Sequence, residues 1–196
     1  MKQYTYTIVL FLSVQLWAQE APNNVPDNLS KGHFLIGLSS TNFNIQYILD
    51  SDEPGQKGES FFSGDLSALY LTSKNFGVGA FIGYRYNDFL ELNHDKRYYL
   101  VIGPQLRVYF NSKGKIVPFF EAGAGYLDFL RLDANGFMFN AALGSSFFLN
   151  KYVALDAGLN FTHLNTTYNV PPNNNSPTGS VTTNGFGLEL GLSLFL

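Results

Sequence analysis

Six ionisable side chains on strand-like segments are the residues of this sequence best suited to chemistry. Each lies on the side of its segment opposite a run of large apolar residues, in a pattern where successive residues change face. Four of the six are carboxylates and two are arginines: Asp65, Arg85, Arg107, Glu121, Asp156 and Glu189. If the segments form a closed barrel and this face points inward, the six side chains form either a salt-bridged plug or the charged lining of a narrow pore.

Arg107 and Glu121 stand almost symmetrically on either side of a short turn at 111–115. Antiparallel pairing brings residues equidistant from a turn side by side, so we predict that these two are neighbours. The excess of carboxylates over arginines would favour cations if water enters the lumen. The sequence leaves both alternatives open, the plug and the pore.

The composition gives little support for a metal site or a catalytic nucleophile. The chain has no cysteine, which excludes disulfides, thiolate metal sites and cysteine nucleophiles. The three histidines, His33, His94 and His163, have no His or Cys partner at metal-ligand spacing. We therefore predict no metal, no cofactor and no catalytic residue.

The segment 184–196 indicates the kind of element that positions the six charges. Phe186, Leu188 and the even-numbered leucines after them alternate with smaller or polar residues such as Glu189. This period of two is typical of a β-strand with two different faces. A tilted strand crosses a membrane in about 9–11 residues, so we predict the closing strand of a transmembrane β-barrel.

The same alternation recurs in seven earlier segments. The predicted strands begin near residue 33 and continue at about 59–71, 76–87, 98–110, 116–127, 135–148 and 152–164. Short turns at 72–75, 111–115 and 149–151 alternate with longer loops at 49–58, 88–97, 128–134 and 165–183. Short turns at one end and long loops at the other are typical of outer-membrane barrels. The predicted fold is all-β: an eight-stranded antiparallel transmembrane β-barrel with up-and-down meander topology.

Two irregularities are expected in this pattern. In the first strand the apolar set changes from even to odd positions between Leu38 and Phe43, which predicts a bulge near Ser40–Asn42. Pro104 lies in the middle of the fourth strand, where it removes a ladder donor. We expect a local bulge there as well.

Alternation alone does not decide which face points outward, because a soluble barrel of lipocalin type would bury the apolar set. The interior of an eight-stranded barrel is only wide enough for close-packed side chains. The large apolar residues form the majority on each strand, whereas the opposite face is rich in Gly, Ser and Asn. We therefore predict that the apolar face contacts lipid and the small, polar face fills the lumen.

Aromatic residues of the outward face are predicted to form two girdles at the membrane interfaces. Aromatic residues make up 16% of the chain, which is enough for both girdles. The residues assigned to them are Tyr70, Phe76, Tyr84, Tyr86, Phe110, Tyr126, Phe137, Phe147, Phe161 and Phe186.

The N-terminal region has the pattern of a targeting segment. Lys2 precedes a short apolar run, and Leu16-Trp17-Ala18 resembles a cleavage site, so residues 1–18 are predicted to be a signal peptide. The alternative is an N-terminal strand or anchor. Residues 19–31 are predicted to be a flexible periplasmic tail and 32–196 the outer-membrane barrel domain. A net charge of −3 offers no basic surface for nucleic acid.

Three stretches carry a resemblance to known proteins: Asn75-Phe76-Gly77-Val78-Gly79, the segment 118–126 (PFFEAGAGY), and the alternating C-terminal strand. Together they resemble the small outer-membrane β-barrel superfamily, which includes the OmpA transmembrane domain, OmpX and OmpW-like proteins. The C-terminal strand is similar to the assembly signal read by the barrel-insertion machinery. The usual last residue of that signal is aromatic, whereas this chain has Leu196 preceded by Phe195.

The resemblance implies export to the outer membrane of a Gram-negative cell, with outer-membrane lipid and lipopolysaccharide as surroundings. These motifs indicate an architecture and not one activity. The function we expect is a non-enzymatic structural or surface-interaction role, with 88–97 and 165–183 as candidate ligand-binding loops. A narrow porin-like channel for small or apolar solutes is the alternative. A lipid A-modifying enzyme is a third; a rim histidine such as His163 would fit it, but Asn165 stands where serine is needed.

Overall fold

The chain forms a closed antiparallel β-barrel in a computed structural model that describes residues 29–41, 47–51, 60–88, 96–110, 114–129, 134–168 and 179–196. The predicted signal peptide and most of the predicted tail lie outside the described residues. Within the described part, no helix is long and apolar enough to cross a membrane.

Nine strand segments make up eight strand positions. They are β1 (Phe34–Thr41), β2 (Tyr47–Ser51), β3 (Ser60–Ser73), β4 (Phe76–Asp88), β5 (Lys96–Tyr109), β6 (Ile116–Phe129), β7 (Ala134–Phe148), β8 (Val153–Tyr168) and β9 (Gly179–Phe195). Segments β1 and β2 share one position because both pair with β9, and β1 also pairs with β3 to close the barrel. All pairings are antiparallel, so the predicted eight-stranded meander is confirmed.

The parity change in the first strand is visible in its register. From Thr41 to Tyr47 the chain advances six residues, whereas the paired strand β9 advances three, from Glu189 to Phe186. The two strands thus advance by numbers of residues that differ by three. Because this difference is odd, the outward-facing residues change from even to odd positions, as the sequence pattern indicated. Pairing is regular through Thr41, so Ser40 and Thr41 carry no bulge, and Asn42, the last residue of the predicted bulge, lies outside the described residues.

The bulge expected at Pro104 is absent, and that expectation was wrong. Strand β5 keeps one register with β4 along its whole length, and Ile102 and Gln105 keep one register with β6. The β5–β6 ladder omits pairs only at Gly103 and Pro104. The missing proline donor is therefore accommodated by two unpaired positions rather than by an inserted residue.

Strands β8 and β9 extend further than their sequence pattern indicated. Their ladder continues to the pair Tyr168–Gly179, so much of the segment 165–183 predicted as a loop belongs to strands. These residues are mostly Asn, Thr and Ser, and they are polar on both faces. Without an apolar face there is no alternation to reveal a strand, although the backbone pairs regularly.

The large apolar residues point outward, and burial alternates along much of β7 and along stretches of the other strands. In β7, for example, Phe137, Phe139 and Leu143 are exposed while Met138, Asn140 and Ala142 are buried. This arrangement matches the predicted faces. An exterior of this kind suits a hydrocarbon environment, since the closed ladder leaves no unpaired edge.

The ends of the lumen are filled by bulky apolar side chains that the sequence analysis did not anticipate. The first set, here called the lower apolar cluster, lies near the chain termini: Leu29, Leu35, Leu69, Tyr109, Val117, Phe119, Phe148, Ala154 and Phe195. The second, the upper apolar cluster, lies toward the other end: Phe81, Tyr99, Val101, Leu127, Ala134 and Met138, with Leu164 packed against it.

Leu29 closes the lower end from outside the strand sequence. Its side chain is 1% exposed within the lower apolar cluster, and its carbonyl accepts a hydrogen bond from the amide of Asn75 at 2.9 Å. Asn75 is in the left-handed turn conformation (φ 67°), which asparagine tolerates. Leu29 thus packs with the barrel, although it stands three residues before the predicted domain boundary at residue 32.

Candidate lumen site

Arg107 is the centre of a hydrogen-bonded group inside the barrel. Its Nε donates to Glu121 Oε2 at 2.6 Å, and its Nη1 donates to Asp156 Oδ2 at 2.7 Å. Arg107 and Glu121 are direct register partners on β5 and β6, as their positions around the turn require. Asp156 comes from β8, on the other side of β6 and β7, so its ion pair with Arg107 spans the lumen.

Neighbouring hydroxyl groups complete this group. Ser146 donates to Asp156 Oδ1 at 2.5 Å, and Ser193 donates to Asp156 Oδ2 at 2.6 Å. Arg107 Nη1 also donates to Ser193 Oγ at 3.1 Å and to the hydroxyl of Tyr109 at 3.3 Å. We call these residues the charged hub: Arg107, Glu121, Asp156, Ser146, Ser193 and Tyr109.

The charged hub is buried from solvent and contacts the lower apolar cluster. The Arg107 and Glu121 side chains are 3% and 4% exposed. The Arg107 guanidinium lies over the ring of Phe119, with 4.4 Å from Cζ to the ring centroid. A charge held this way by carboxylates, hydroxyls and an aromatic face is fixed in position inside the barrel.

A second ion pair lies toward the upper apolar cluster. Arg85 Nη1 donates to Asp65 Oδ1 at 2.5 Å. Arg85 Nη2 lies 3.9 Å from the sulfur of Met138, which comes from β7 on the far side of the lumen. The ion pair therefore joins the neighbouring strands β3 and β4, while the Arg85 guanidinium reaches across the interior to β7.

Glu189 has no arginine or lysine partner among the described residues. Its Oε2 accepts a hydrogen bond from Asn160 Nδ2 at 2.9 Å, and Asn160 Oδ1 accepts one from Thr162 Oγ1 at 2.9 Å. Thr162 is the register partner of Asn140, and Gly123 lies between Asn140 and Gln105 in the same row. We call this row the amide arc: Gln105, Asn140, Asn160, Thr162 and Glu189.

The structure thus gathers the six charges predicted from the sequence into two ion-paired groups and one carboxylate without a cation. Sequence reasoning missed the neutral members, namely Gln105, Asn140, Asn160, Thr162, Ser146, Ser193 and Tyr109. All seven occupy inward positions of their strands, so the alternation contained the signal. Only the structure shows which of them belong to the charged hub and which to the amide arc.

The residues assigned to the aromatic girdles form close pairs on the exterior. Phe161 packs against Phe186 with 5.1 Å between ring centroids, and Tyr126 packs against Phe137 at 5.7 Å. Near the chain termini, Tyr70 packs against Phe34 at 5.1 Å. Other members face outward or are half-exposed: Phe76, Tyr84, Phe110 and Phe147. Tyr86 is described only at its backbone, in β4.

The rim histidine has no arrangement typical of a catalytic base. His163 Nδ1 lies 2.6 Å from Asn184 Oδ1, and the register partners of His163 are Phe139 and Asn184. None of these is an acid or a nucleophile. His94 lies outside the described residues. Among the described residues, no group of three or more His, Asp or Glu is arranged to hold a metal ion.

Structure comparison relates this architecture to small outer-membrane barrels. Outer membrane protein OprG of Pseudomonas aeruginosa matches with a TM-score of 0.57 at 15% identity, over 85% of this chain and 97% of OprG. Neisserial surface protein A (NspA) matches with a TM-score of 0.56 at 13% identity, over 84% of this chain and 97% of NspA. No protein-family model and no curated protein matches the sequence. At these identities the likeness concerns the fold: this chain has the fold of small eight-stranded outer-membrane β-barrels.

Proposed function

We propose that this chain is an outer-membrane β-barrel with a sealed lumen and a structural or surface-interaction role, without enzymatic activity. The observation that carries the proposal is the filled interior. The charged hub crosses the lumen beside the lower apolar cluster, and Arg85, paired with Asp65, reaches across to Met138 of the upper apolar cluster. An eight-stranded barrel has little space left once such side chains are in place.

The exterior of the barrel supports the proposed location in the outer membrane. Large apolar residues cover the outward face, and paired aromatic residues lie near both ends of the barrel. Such a belt fits lipid, with lipopolysaccharide as the neighbour at the outer surface. Export would use residues 1–18 as a cleaved signal, and the C-terminal strand would be read by the barrel-insertion machinery during assembly.

The surface-interaction part of the proposal concerns the outer ends of the strands. A rigid barrel presents its connecting segments at a fixed place, and such segments often carry binding function. The segments concerned are 88–97 and 165–183, of which 89–95 and 169–178 lie outside the described residues. The proposal gives His163 no catalytic role, because its ring is hydrogen-bonded to the side-chain amide of Asn184.

Conductance of the refolded protein in a planar lipid bilayer tests the sealed lumen. We expect insertion without discrete openings, with an open porin in the same bilayers as the positive control. Reproducible openings with cation preference would contradict the proposal. They would favour a narrow channel lined by Asp65, Glu121, Asp156 and Glu189.

Two neighbouring phenylalanines provide a matched pair of variants for this measurement. Phe119 points into the lower apolar cluster against Arg107, whereas Phe120 lies on the outward face of the same strand. We expect Phe119→Ala to allow measurable leakage because it removes packing beside the charged hub, and Phe120→Ala to remain silent. Equal conductance of the two variants would show that the lumen packing does not form the seal.

A further inference from the structure

We propose that the amide arc holds one small monovalent cation of sodium size, enclosed between the charged hub and the upper apolar cluster. The inference begins from polar atoms without partners. Four buried side-chain oxygens in the described part of the chain accept no hydrogen bond, and three belong to the amide arc: Gln105 Oε1, Asn140 Oδ1 and Glu189 Oε1. The fourth is Asn75 Oδ1, in the lower turn.

The three oxygens are deeply buried. Gln105 is 8% exposed, Asn140 7% and Glu189 4%. A buried acceptor without a partner destabilises the folded state, and a charged one does so more strongly. No buried side-chain nitrogen of the described residues lacks a partner, so the imbalance consists entirely of acceptors. Such a group is suited to a species that provides positive charge or donors.

The members of the arc occupy inward positions at neighbouring register levels. Gln105 and Asn140 are the two register neighbours of Gly123, and Asn140 Oδ1 lies 2.5 Å from where a Cβ of Gly123 would be. Hydrogen bonds connect Thr162 through Asn160 to Glu189, and Thr162 is the register partner of Asn140. The arc thus extends over five consecutive strands, β5 to β9, whose inward side chains meet in a narrow barrel.

Charge favours a cation over another neutral group. Arg85 pairs with Asp65, and Arg107 serves both Glu121 and Asp156. Among the described residues, Glu189 is the inward carboxylate that forms no ion pair, and a buried carboxylate without one is disfavoured. Because the three free oxygens together carry one formal negative charge, a monovalent cation matches them better than a divalent one.

The donor types also fit such an ion. Carboxylate and amide oxygens are the ligands that hard cations prefer in proteins, and carbonyl oxygens can replace the hydration shell of a monovalent cation. Apolar side chains bound the site above, where Phe81 Cε1 lies 3.1 Å from the Cβ position of Gly123. Since the barrel closes around the site, the ion would be captured during folding.

The experiment compares barrels refolded in sodium chloride with barrels refolded in N-methyl-D-glucamine chloride, at equal pH and ionic strength. The readouts are the thermal unfolding temperature, followed by circular dichroism, and the sodium content of the desalted protein. We expect the wild type to unfold several degrees higher in sodium and to retain about one sodium per barrel. N-methyl-D-glucamine is too large to enter the arc.

Glu189→Gln is the informative variant. Its amide keeps an oxygen for Asn160 and gains donors for Gln105 and Asn140, so it is expected to fold and to be at least as stable as the wild type without sodium. Its sodium-dependent shift and its bound sodium should disappear. Asp128→Asn, which changes an exposed carboxylate of β6, should keep both. If Glu189→Gln does not fold, Gln105→Met takes its place and should show a reduced shift.

Several results would overturn the proposal. Equal unfolding temperatures in the two salts, with no retained sodium, would mean that water or a proton on Glu189 satisfies the arc. A shift that persists in Glu189→Gln would mean general electrostatic screening. Stabilisation by calcium chloride and not by sodium would contradict the monovalent class. The proposal rests on the same filled lumen as the proposed function, but none of these results would change the conductance outcome.

Discussion

The charged hub and the amide arc are consecutive layers of one lumen, yet they satisfy their polar atoms in opposite ways. Gln105 stands one inward position from Arg107 on β5, and Gly123 stands one inward position from Glu121 on β6. In the hub, both oxygens of Asp156 accept hydrogen bonds and Arg107 bonds four different side chains. In the arc, three oxygens accept none.

The difference follows from the donors that each layer contains. One guanidinium provides five N–H groups in a rigid fork and therefore serves several acceptors at once. The arc has no guanidinium, and the amide donor of Asn160 is used on Glu189. The comparison shows that one arginine decides whether the polar atoms of a layer in this barrel all find hydrogen-bond partners within the protein. The following variants test it, from the largest expected effect to the smallest.

Arg107→Met should destabilise the barrel most. The change leaves Glu121 and Asp156 buried without their cation, and breaking a buried pair in this way costs about 3–5 kcal/mol. Urea unfolding of the refolded protein in detergent, followed by circular dichroism, measures the loss in free energy of unfolding. Stability within error of the wild type would show that the hub contributes nothing net.

The triple variant Arg107→Met, Glu121→Gln, Asp156→Asn is the control for that result. It removes the stranded charges as well as the arginine, so it should recover much of the loss, because buried ion pairs are often replaceable by neutral groups. If the triple variant is as unstable as the single one, lost packing against Phe119 is the cause instead of stranded charge.

Asn160→Leu should have an intermediate effect on stability, because it adds a further unpartnered oxygen to the amide arc and leaves the charged hub unchanged. It removes the hydrogen bond to Glu189 Oε2 and leaves both oxygens of that carboxylate without a protein donor. We expect a loss of about 1–3 kcal/mol in the same urea experiment. Combined with Glu189→Gln, the penalty should shrink, and an unchanged penalty would contradict this explanation.

Gly123→Ala should have the smallest effect. Its Cβ would meet the movable end of Asn140, at 2.5 Å from Oδ1, and the amide can turn aside. A loss below about 1 kcal/mol is expected, since reduced freedom of the unfolded chain offsets part of the displacement.

Gly144→Ala is the matched variant beside the lower apolar cluster. There the Cβ would lie 2.5 Å from the carbonyl oxygen of Ala157 and 2.9 Å from Cα of Gly158, and backbone atoms cannot turn aside. A loss of about 1–3 kcal/mol is expected. Thermal unfolding of the two variants side by side measures the difference, and equal stability would mean that both layers are equally rigid.

Much of the fold was predictable because a lipid-facing strand must alternate. The period of two located every strand, and it revealed the change of parity between Leu38 and Phe43. Its failures have local causes: Pro104 is accommodated without a bulge, and the polar strand ends near Tyr168 and Gly179 carry no alternation. The signal also could not show that Leu29 folds back under the barrel, because a single apolar residue has no period.

The candidate site was predictable in part. Alternation put the six charges on one face, and the turn at 111–115 made Arg107 and Glu121 neighbours. It could not indicate that Asp156, which is 49 residues beyond Arg107, meets the same guanidinium. Nor could it distinguish the bulky inward residues at the two ends of the lumen from the small ones between them.

The sequence by itself determined the strands, their two faces and the neighbours within each hairpin, because these depend on local spacing and on turns. Only the tertiary structure decided which side chains meet across the lumen. Closure of β1 onto β9 fixes the stagger of all strands at once, and this stagger sets the height of every inward residue. That is why the charged hub is complete, while the amide arc just above it has oxygens without partners.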